Sequence, residues 1–484
     1  MNGAPSILEL ALIGQVLLWV IVVLIFLMAR QASLYHPLTV YLLFHALVFV
    51  VRPLTVHYLN FDREWAYIRF EPSADQLIRA LMASSLALVV FAAATMAFGW
   101  CHPKFQTTAA EPFSFPQKRA LVLVTILLGP LCLYSLHAMF SGAFAVENRG
   151  GTYVISSGNG YSMEAQYMAG PIICAWLAVT RFRWYSLLAL APYIYVRTYA
   201  GGSRWTIVLV LVAISLVYAW QKRLTRPPVW TVLCAVPLYL LFNAIGENRQ
   251  FLSDLVNGAG VRQTVEVGVA SVEKVKEKYD SPDFANFDYL TFVTSVVPER
   301  TETYTYGAQY VQLFTEPIPR KLWPGKPVGS PVRLFNLNSY GYFFGLTPSL
   351  VGDGWMSGGW IGIIVTMTIV GGLLGTFHRW FWKHSDNNMA AMFYLIALAM
   401  LPQWYRDGGI SIAKFLFWNI SPLILWLGLT WLMGSRLVPA YSVWLPRHTR
   451  LRLISAPASH TLSHGVAPET PALLFGRETK PRLS

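Results

Sequence analysis

Long runs of apolar residues recur along this chain of 484 residues, and each is close to the length that crosses a lipid bilayer. A helix needs about 20 apolar residues to span a hydrocarbon core of roughly 30 Å, where every backbone polar group must be satisfied internally. The sequence therefore predicts an all-α polytopic membrane protein with about eleven spans. They lie near 7–28, 37–51, 77–98, 119–140, 165–180, 184–199, 205–220, 229–245, 355–376, 389–402 and 412–433.

The composition agrees with a membrane protein. Only 13% of the residues are charged, against roughly 25% in soluble domains, and the mean hydropathy is +0.45. The first run is too long for a signal-peptide core and lacks a cleavage site, so it is interpreted as a retained span. Residues 1–434 are predicted to form the membrane domain, and 435–484 a basic, poorly ordered tail rich in Pro, Ser, Thr and His.

The short connections between spans carry an uneven distribution of Lys and Arg that predicts the orientation. Basic residues are more frequent in cytoplasmic loops. Four connections with such residues, and the basic tail, fall on one side: Lys104, Lys118 and Arg119; Arg181 and Arg183; Lys222, Arg223 and Arg226; Arg379 and Lys383. That side is predicted to be cytoplasmic, with the C-terminus. The opposite, external side receives one large loop, about 246–354, which is periplasmic in a Gram-negative cell.

Several chemistries receive no support from the sequence. The formal charge of +13 is explained by the orientation bias and by attraction to anionic membrane lipid, and no nucleic-acid-binding fold accompanies it. The four cysteines show no CxxC spacing and the ten histidines no HxxxH pair. We therefore predict no disulfide framework, no metal site and no cofactor.

The stretch EPIPRKLWPGKP at 316–327 combines four prolines, three cations and a tryptophan. Proline forbids regular helix, so the cations are expected to be held on a rigid, extended backbone. Further cations oppose the orientation bias on the same predicted side. They are Arg197, Arg204, Arg249 and Arg406. A single arginine there can simply snorkel to water, but several together favour a site for an anionic group on a lipid, because arginine offers paired donors to phosphate.

Two segments carry a family resemblance. TYTYGAQYVQLFTEPIPRKLWPGKP, followed by LTPSLVGDGWMSGGWIG, resembles the Wzy-type O-antigen and oligosaccharide repeat-unit polymerases of bacterial envelopes. The matching positions are Tyr304 and Tyr310 for an aromatic lead, Pro319 to Pro327 for the basic motif, and Asp353, Gly359 and Gly362 for a small-residue turn. Gly202, Ser203 and Arg204, and the late Arg406, also match.

The resemblance implies a C-type glycosyltransferase-like fold in the bacterial inner membrane, with its active site facing the periplasm. The implied reaction transfers a growing glycan from undecaprenyl pyrophosphate to an incoming lipid-linked repeat unit. Partners would include those lipid-linked glycans, membrane lipid and a chain-length regulator and flippase. Charge develops on the pyrophosphate leaving group, and Arg320 with Lys326 could stabilise it in place of a metal.

The proton acceptor for the attacking hydroxyl is left open among the carboxylates of the predicted external face, which are Asp62, Glu64, Glu247, Glu299, Glu302 and Asp353. C-type transferases favour Asp62 or Glu64 in an early external loop, whereas the Wzy-like pattern favours Asp353. Asp62 and Glu64 could equally pair with neighbouring arginines on a solvated loop. Trp323 is either an interfacial anchor or a stacking platform for a sugar.

Two other functions are compatible with parts of the pattern. A ligase would perform the same chemistry on a different acceptor. A flippase for lipid-linked oligosaccharides would place its charges near the bilayer midplane, whereas here they gather at one membrane face, which favours an enzyme.

Overall fold

The computed structural model describes the chain in segments that together form one helical bundle. These are residues 6–58, 70–140, 146–149, 152–155, 164–199, 204–226, 285–315, 318, 322–323, 325, 331–341, 347–409 and 415–437. The early external loop, the segment before residue 285, most of the basic motif and the tail after 437 fall outside them, so the predicted boundary of the tail stays a prediction.

Six helices in the described segments are long and apolar enough to cross a membrane. They are α1 (Ile7–Met28), a span formed by α2 (Pro37–His45), a π-helical stretch (Ala46–Val51) and α3 (Arg52–Tyr58), then α4 (Ala74–Phe98), α5 (Phe115–Phe140), α12 (Ser349–Lys383) and α15 (Phe417–Leu437). Each coincides with a predicted apolar run. The protein is therefore embedded in a membrane.

The other helices are shorter. Two predicted runs form apolar helices too short for that criterion, Ala165–Val179 and Thr206–Gln221. The shorter helices are α6 (Ala169–Val179), α7 (Leu190–Tyr199), α8 (Arg204–Gln221), α9 (Asn286–Val296), α10 (Ala308–Thr315), α11 (Pro331–Leu334), α13 (Asn388–Ala399) and α14 (Leu401–Asp407). The predicted run 229–245 lies outside the described residues.

A small β-hairpin departs from the predicted all-helical class. Its strands are β1 (Val146–Arg149) and β2 (Thr152–Ile155), paired antiparallel with Val146 opposite Ile155. An alternating stretch around two glycines allows such a pairing in a short connection. The rest of the described structure is helical, which confirms the class.

The predicted loop 246–354 contains a helix that the apolar runs did not reveal. All eleven residues of α9 are buried, with Thr and Ser side chains returning hydrogen bonds to the helix backbone, as from Thr291 to Phe287 O at 3.0 Å. The helix packs against α4 and α12. This part of the loop is thus inserted in the bundle and does not lie on its surface.

The helix α12 is broken near its start. Gly358 and Gly359 have non-helical backbone angles, with φ +59° at Gly359, so Ser349–Ser357 forms a separate first arm. A Cβ on Gly362 would lie 2.1 Å from the Gly354 carbonyl oxygen, so the two arms meet through glycines. Asp353 was predicted in a turn, but it lies within the helical first arm, and the turn follows it.

The second arm of α12 packs closely along α4. A Cβ on Gly375 would lie 2.7 Å from the Thr95 carbonyl oxygen and 2.8 Å from the Gly99 nitrogen. Small residues let helix backbones approach in membranes, where packing replaces the hydrophobic driving force. Gly371, Gly372 and Gly375 therefore let α12 pack closely against α4.

The basic connections meet at one end of the bundle. Arg223 donates to Thr107 Oγ1 at 3.0 Å and to Asp386 Oδ1 at 2.9 Å, and Arg181 donates to the Ala110 carbonyl at 3.4 Å. Arg406 instead bonds through its carbonyl to Asn286 and Thr347, just before the start of α12, whereas the basic Lys383 ends that helix. The four basic connections are therefore neighbours in the structure, and the side of the membrane that they face stays a prediction.

A buried ion pair links α3 to α9. Arg52 Nε lies 2.8 Å from Asp288 Oδ2, and both side chains are only 1% exposed. Breaking a buried pair leaves an uncompensated charge, which is costly in a low dielectric. The pair therefore holds α9 in one register against the second span.

We expect Gly375→Ala to destabilise the bundle by about 1–3 kcal/mol, because the added methyl group meets α4 backbone atoms that cannot move independently. Gly428→Ala in α15 is the matched control, since a Cβ there meets no atom within 4 Å. Thermal unfolding in detergent measures both. Equal melting temperatures for the two variants would refute the close α4–α12 contact.

Removing one partner of the buried pair should cost more than removing both. Asp288→Leu leaves the Arg52 guanidinium buried without its carboxylate, at a cost of about 3–5 kcal/mol. The double variant Arg52→Met, Asp288→Leu should recover most of that loss in the same unfolding assay. A double variant no more stable than the single one would contradict the pairing.

Candidate functional site

Four residues singled out in the sequence belong to one cluster at the end of the bundle opposite the basic connections. They are Tyr304, Tyr310, Asp353 and Arg406, which are separated by up to about a hundred residues along the chain. The cluster is built from the segment before α10, α10 itself, the first arm of α12, and α14 with the turn that follows it. We call it the Asp353 cluster.

Asp353 lies at its centre and is 1% exposed. Its Oδ2 accepts a hydrogen bond of 2.6 Å from the Gly409 backbone N–H. Its Oδ1 has no hydrogen-bond partner among the described residues. A buried carboxylate oxygen is costly to leave unmatched, so this atom is the place where a further group is expected to bind.

The turn after α14 is shaped around this carboxylate. Gly408 has φ +81°, and a Cβ there would lie 2.2 Å from Asp353 Oδ2. Only glycine satisfies both the backbone angle and the close approach. The Arg406-Asp407-Gly408-Gly409 sequence thus forms a turn that packs against the Asp353 carboxylate.

Hydrogen bonds join α10 and its preceding residues to the first arm of α12. Gln309 Nε2 donates to Ser357 Oγ at 2.6 Å and to the Asp353 carbonyl at 3.3 Å. The Thr305 N–H donates to the Met356 carbonyl at 2.8 Å. The aromatic lead of the sequence motif is therefore anchored directly on the arm that carries Asp353.

Tyr310 lines the cluster from α10. Its hydroxyl lies 3.3 Å from Thr366 Oγ1, and a Cβ on Gly409 would lie 2.8 Å from its ring. Burial and the Asp353 charge raise the pKa of the Tyr310 phenol, so the phenol stays protonated and able to donate. Tyr304 covers the break in α12, with its hydroxyl 2.8 Å from where a Gly359 Cβ would be.

Arg406 and Asp407 end α14 beside the cluster. Arg406 Nε lies 4.0 Å from Asp407 Oδ1, and their side chains are 13% and 14% exposed. The Arg406 carbonyl accepts from Asn286 Nδ2 at 3.0 Å and from Thr347 Oγ1 at 2.9 Å. Asp407 also accepts from Gln403 and acts electrostatically on Asp353. The Asp353 cluster therefore contains a cation, Arg406, whose backbone carbonyl is held by Asn286 and Thr347. It also contains a second carboxylate, Asp407.

Two cavities adjoin this region. One, of about 50 Å³, has polar groups from Tyr167, Gln403 and Asn419 in its lining. The other, of about 120 Å³, is apolar and extends along α12 and α13 to Phe377 and Tyr394. The two share a wall formed by Met400, Gln403 and Phe415. The two cavities thus meet beside Gln403, which binds Asp407.

Arg197 is in the interior and does not snorkel to the membrane surface. It is 2% exposed, donates to Gln166 Oε1, and its guanidinium carbon lies 5.8 Å from the Tyr167 ring centre. Tyr167 lines the smaller cavity and lies within electrostatic range of both Arg197 and Asp407. Arg197 therefore contributes positive charge behind that cavity.

The remaining predicted site residues are not placed by the described structure. Arg249, Arg320, Lys326, Asp62 and Glu64 lie outside it, and for Arg204 it gives the backbone at the start of α8 without the side chain. Trp323 is 40% exposed, which is compatible with either of its predicted roles. Whether the external cations converge on one diphosphate stays a prediction.

Sequence reasoning missed several members of the Asp353 cluster, namely Gln309, Ser357, Asp407, Gly408 and Gly409. The signal for the turn was present, because Arg406 is followed directly by Asp-Gly-Gly, a sequence suited to positive φ. No comparable signal marks Gln309. Within the described segments, no three His, Cys, Asp or Glu side chains come together as metal ligands would.

Comparisons with known proteins give one family. No curated protein and no solved structure matches the chain. The model of the family described as O-antigen polysaccharide polymerase Wzy matches residues 6–435, which include the aromatic lead, the basic motif, Asp353 and Arg406. Because that match covers nearly the whole chain and every element of the Asp353 cluster, the protein belongs to the Wzy family of O-antigen polysaccharide polymerases.

Proposed function

We propose that this protein joins undecaprenyl-pyrophosphate-linked repeat units into a polysaccharide at the external face of the bacterial inner membrane. The fold would be C-type glycosyltransferase-like, with about eleven spans, a large periplasmic loop and a cytoplasmic C-terminus. The observation that carries the proposal is the unmatched Oδ1 of Asp353 within a buried polar cluster. The segments around it are those that carry the family motif.

In the proposed reaction, a hydroxyl on the terminal sugar of the incoming unit attacks the anomeric carbon of the growing glycan. The bond from that carbon to the pyrophosphate oxygen breaks, and undecaprenyl pyrophosphate leaves with the electron pair. Asp353 Oδ1 takes the hydroxyl proton as general base. Asp62 and Glu64 are the alternative bases.

The groups around Asp353 support that role. Gly409 holds Oδ2, so the free oxygen has a fixed direction. The Tyr310 phenol, kept protonated, can donate to the acceptor sugar. Because Asp353 is buried, an acceptor can reach Oδ1 only if α10 or the turn at Gly408 moves aside.

Positive charge is needed at the leaving group. We propose that Arg320, Lys326, Arg204 and Arg249 bind the pyrophosphate, with Arg406 and Arg197 contributing from the bundle side. Preorganised cations stabilise the charge that develops on the departing oxygen. The lining of the cavity that borders Gln403 is apolar, as a prenyl chain is, and this match in polarity supports a lipid-linked donor.

Replacing Asp353 by Asn should abolish most polymerisation while leaving the fold intact, because the amide oxygen can still accept from Gly409 but cannot take a proton. General-base loss commonly costs about 10²- to 10⁴-fold in rate. The measurement is chain growth by purified protein in nanodiscs supplied only with lipid-linked repeat units. Asp75→Asn, an exposed carboxylate at the start of α4, is the control.

Near-normal chain growth by the Asp353→Asn variant would show that Asp353 is not the general base. The candidates would then be Asp62 and Glu64. Unchanged chain length with wild-type protein would instead favour a carrier, and dependence on a separate added acceptor, such as lipid A core, would favour a ligase.

Arg320→Ala should reduce chain growth about a hundredfold, since losing one preorganised charge contact costs about 3 kcal/mol of transition-state stabilisation. Arg320→Lys should recover part of the activity, because it keeps the charge without the fork. Arg300→Ala is the matched control, an exposed arginine at the end of α9. Equal rates for Arg320→Ala and the control would show that the basic motif is scaffolding.

A further inference from the structure

The helix α10 has two faces of different character. On one face Gln309 is buried and Tyr310 reaches into the Asp353 cluster. On the other face Val311 is 58% exposed and Phe314 is 83% exposed. Ala308 is also exposed and continues this stripe at helical spacing, and Thr315 at its end is partly exposed. A helix in water would not place its large apolar side chains on the solvent side.

The apolar surface extends beyond the helix. Tyr306, just before it, is 78% exposed, and Leu322, after it, is also 78% exposed. We call Tyr306, Val311, Phe314 and Leu322 the α10 apolar face. Exposed apolar side chains gathered in this way mark a surface that contacts another apolar phase.

The depth of α10 indicates which phase that is. The Tyr310 hydroxyl lies 3.3 Å from Thr366 Oγ1. Thr366 follows the break at Gly359 by seven residues, which at about 1.5 Å per residue is about 10 Å along the spanning arm of α12. The helix therefore lies beside a membrane-spanning segment, and not above its end.

The spanning arm is itself lipid-facing at this level. Ile361 is 73% exposed, and Ile364 and Val365 are 43% and 50% exposed. These side chains precede Thr366 by one to five residues, so they lie at the depth to which Tyr310 fixes α10. The spanning arm therefore exposes apolar side chains at the same depth, as expected of a helix surface in contact with lipid.

The charged residues that follow α10 in the sequence also favour lipid as the phase that covers this face. Three cations, Arg320, Lys321 and Lys326, follow α10 within about a dozen residues, interleaved with Trp323. Basic and aromatic residues that closely follow an apolar helix in the sequence are typical of segments at the phosphate and headgroup level of a bilayer that contains anionic lipid.

We propose that α10 is a membrane-inserted helix whose apolar face is immersed in the acyl chains of the adjacent leaflet. That leaflet is the outer one under the orientation predicted from the Lys and Arg distribution. The same eight residues then have lipid on one side and the Asp353 cluster on the other, so the cluster is separated from the leaflet by a single short helix. The inference rests on exposure and depth and does not depend on the proposed reaction.

The test places an environment-sensitive fluorescent amino acid at position 314 by genetic encoding, which leaves all four cysteines intact. The full-length protein is reconstituted in nanodiscs of phosphatidylethanolamine and phosphatidylglycerol, with or without lipids brominated near the top of the acyl chain. The same label at Thr303, an exposed polar position before α10, is the control. Iodide in the buffer reports access from water.

We expect brominated lipid to quench the label at 314 at least twofold more strongly than the label at 303, with iodide showing the reverse order. Quenching at 314 by iodide and not by brominated lipid would place α10 in water and overturn the proposal. Protection at 314 from both quenchers would mean that protein covers the face, which also overturns it.

A label at position 311 provides a second reading if the change at 314 prevents folding. It should give the same order of quenching, because Val311 and Phe314 share the exposed stripe. Neither reading involves polymerisation, so a failure of the proposed function would leave this result unaffected.

Discussion

The hydrogen bond from the Gly409 N–H to Asp353 organises this end of the protein. A carboxylate enclosed by an apolar bundle is expensive unless hydrogen bonds offset the lost hydration. Here one oxygen is held at 2.6 Å by a turn that only glycine can form, and α10 is bonded to the same arm through Gln309. Three distant parts of the chain are thereby fixed around one oxygen, Oδ1, which is left available.

The membrane architecture was largely predictable, because lipid imposes a length and a composition that are legible in the sequence. Asp353, Tyr310 and Arg406 were also identified before their proximity was known, through a family resemblance. The helix α9 was not predicted. Its Thr and Ser hydroxyls satisfy backbone carbonyls, so it can be buried on all sides without an uninterrupted apolar run. The pairing of Arg52 with Asp288 was not predictable for a related reason, because each residue stands in a predicted loop where a single charge is ordinary.

The proposed reaction uses two kinds of charged group, cations that bind the leaving group and a carboxylate that accepts a proton. The proposed role of the basic motif is to bind a lipid pyrophosphate at the headgroup level. The proposed role of the buried Asp353 carboxylate is to take a proton from the acceptor hydroxyl. The helix α10 exposes apolar residues on one face and holds polar residues toward the arm that carries Asp353 on the other.

The most direct measurement is a structure of the full-length protein in a nanodisc with a lipid-linked repeat unit bound. The account predicts the acceptor sugar hydroxyl within hydrogen-bonding distance, about 2.6–3.2 Å, of Asp353 Oδ1. It also predicts the diphosphate on the arginines and lysines of the basic segment, and a displaced α10 or Gly408 turn. A bound substrate whose reacting hydroxyl contacts a different carboxylate, with Asp353 still enclosed by Gly408 and Gly409, would contradict it.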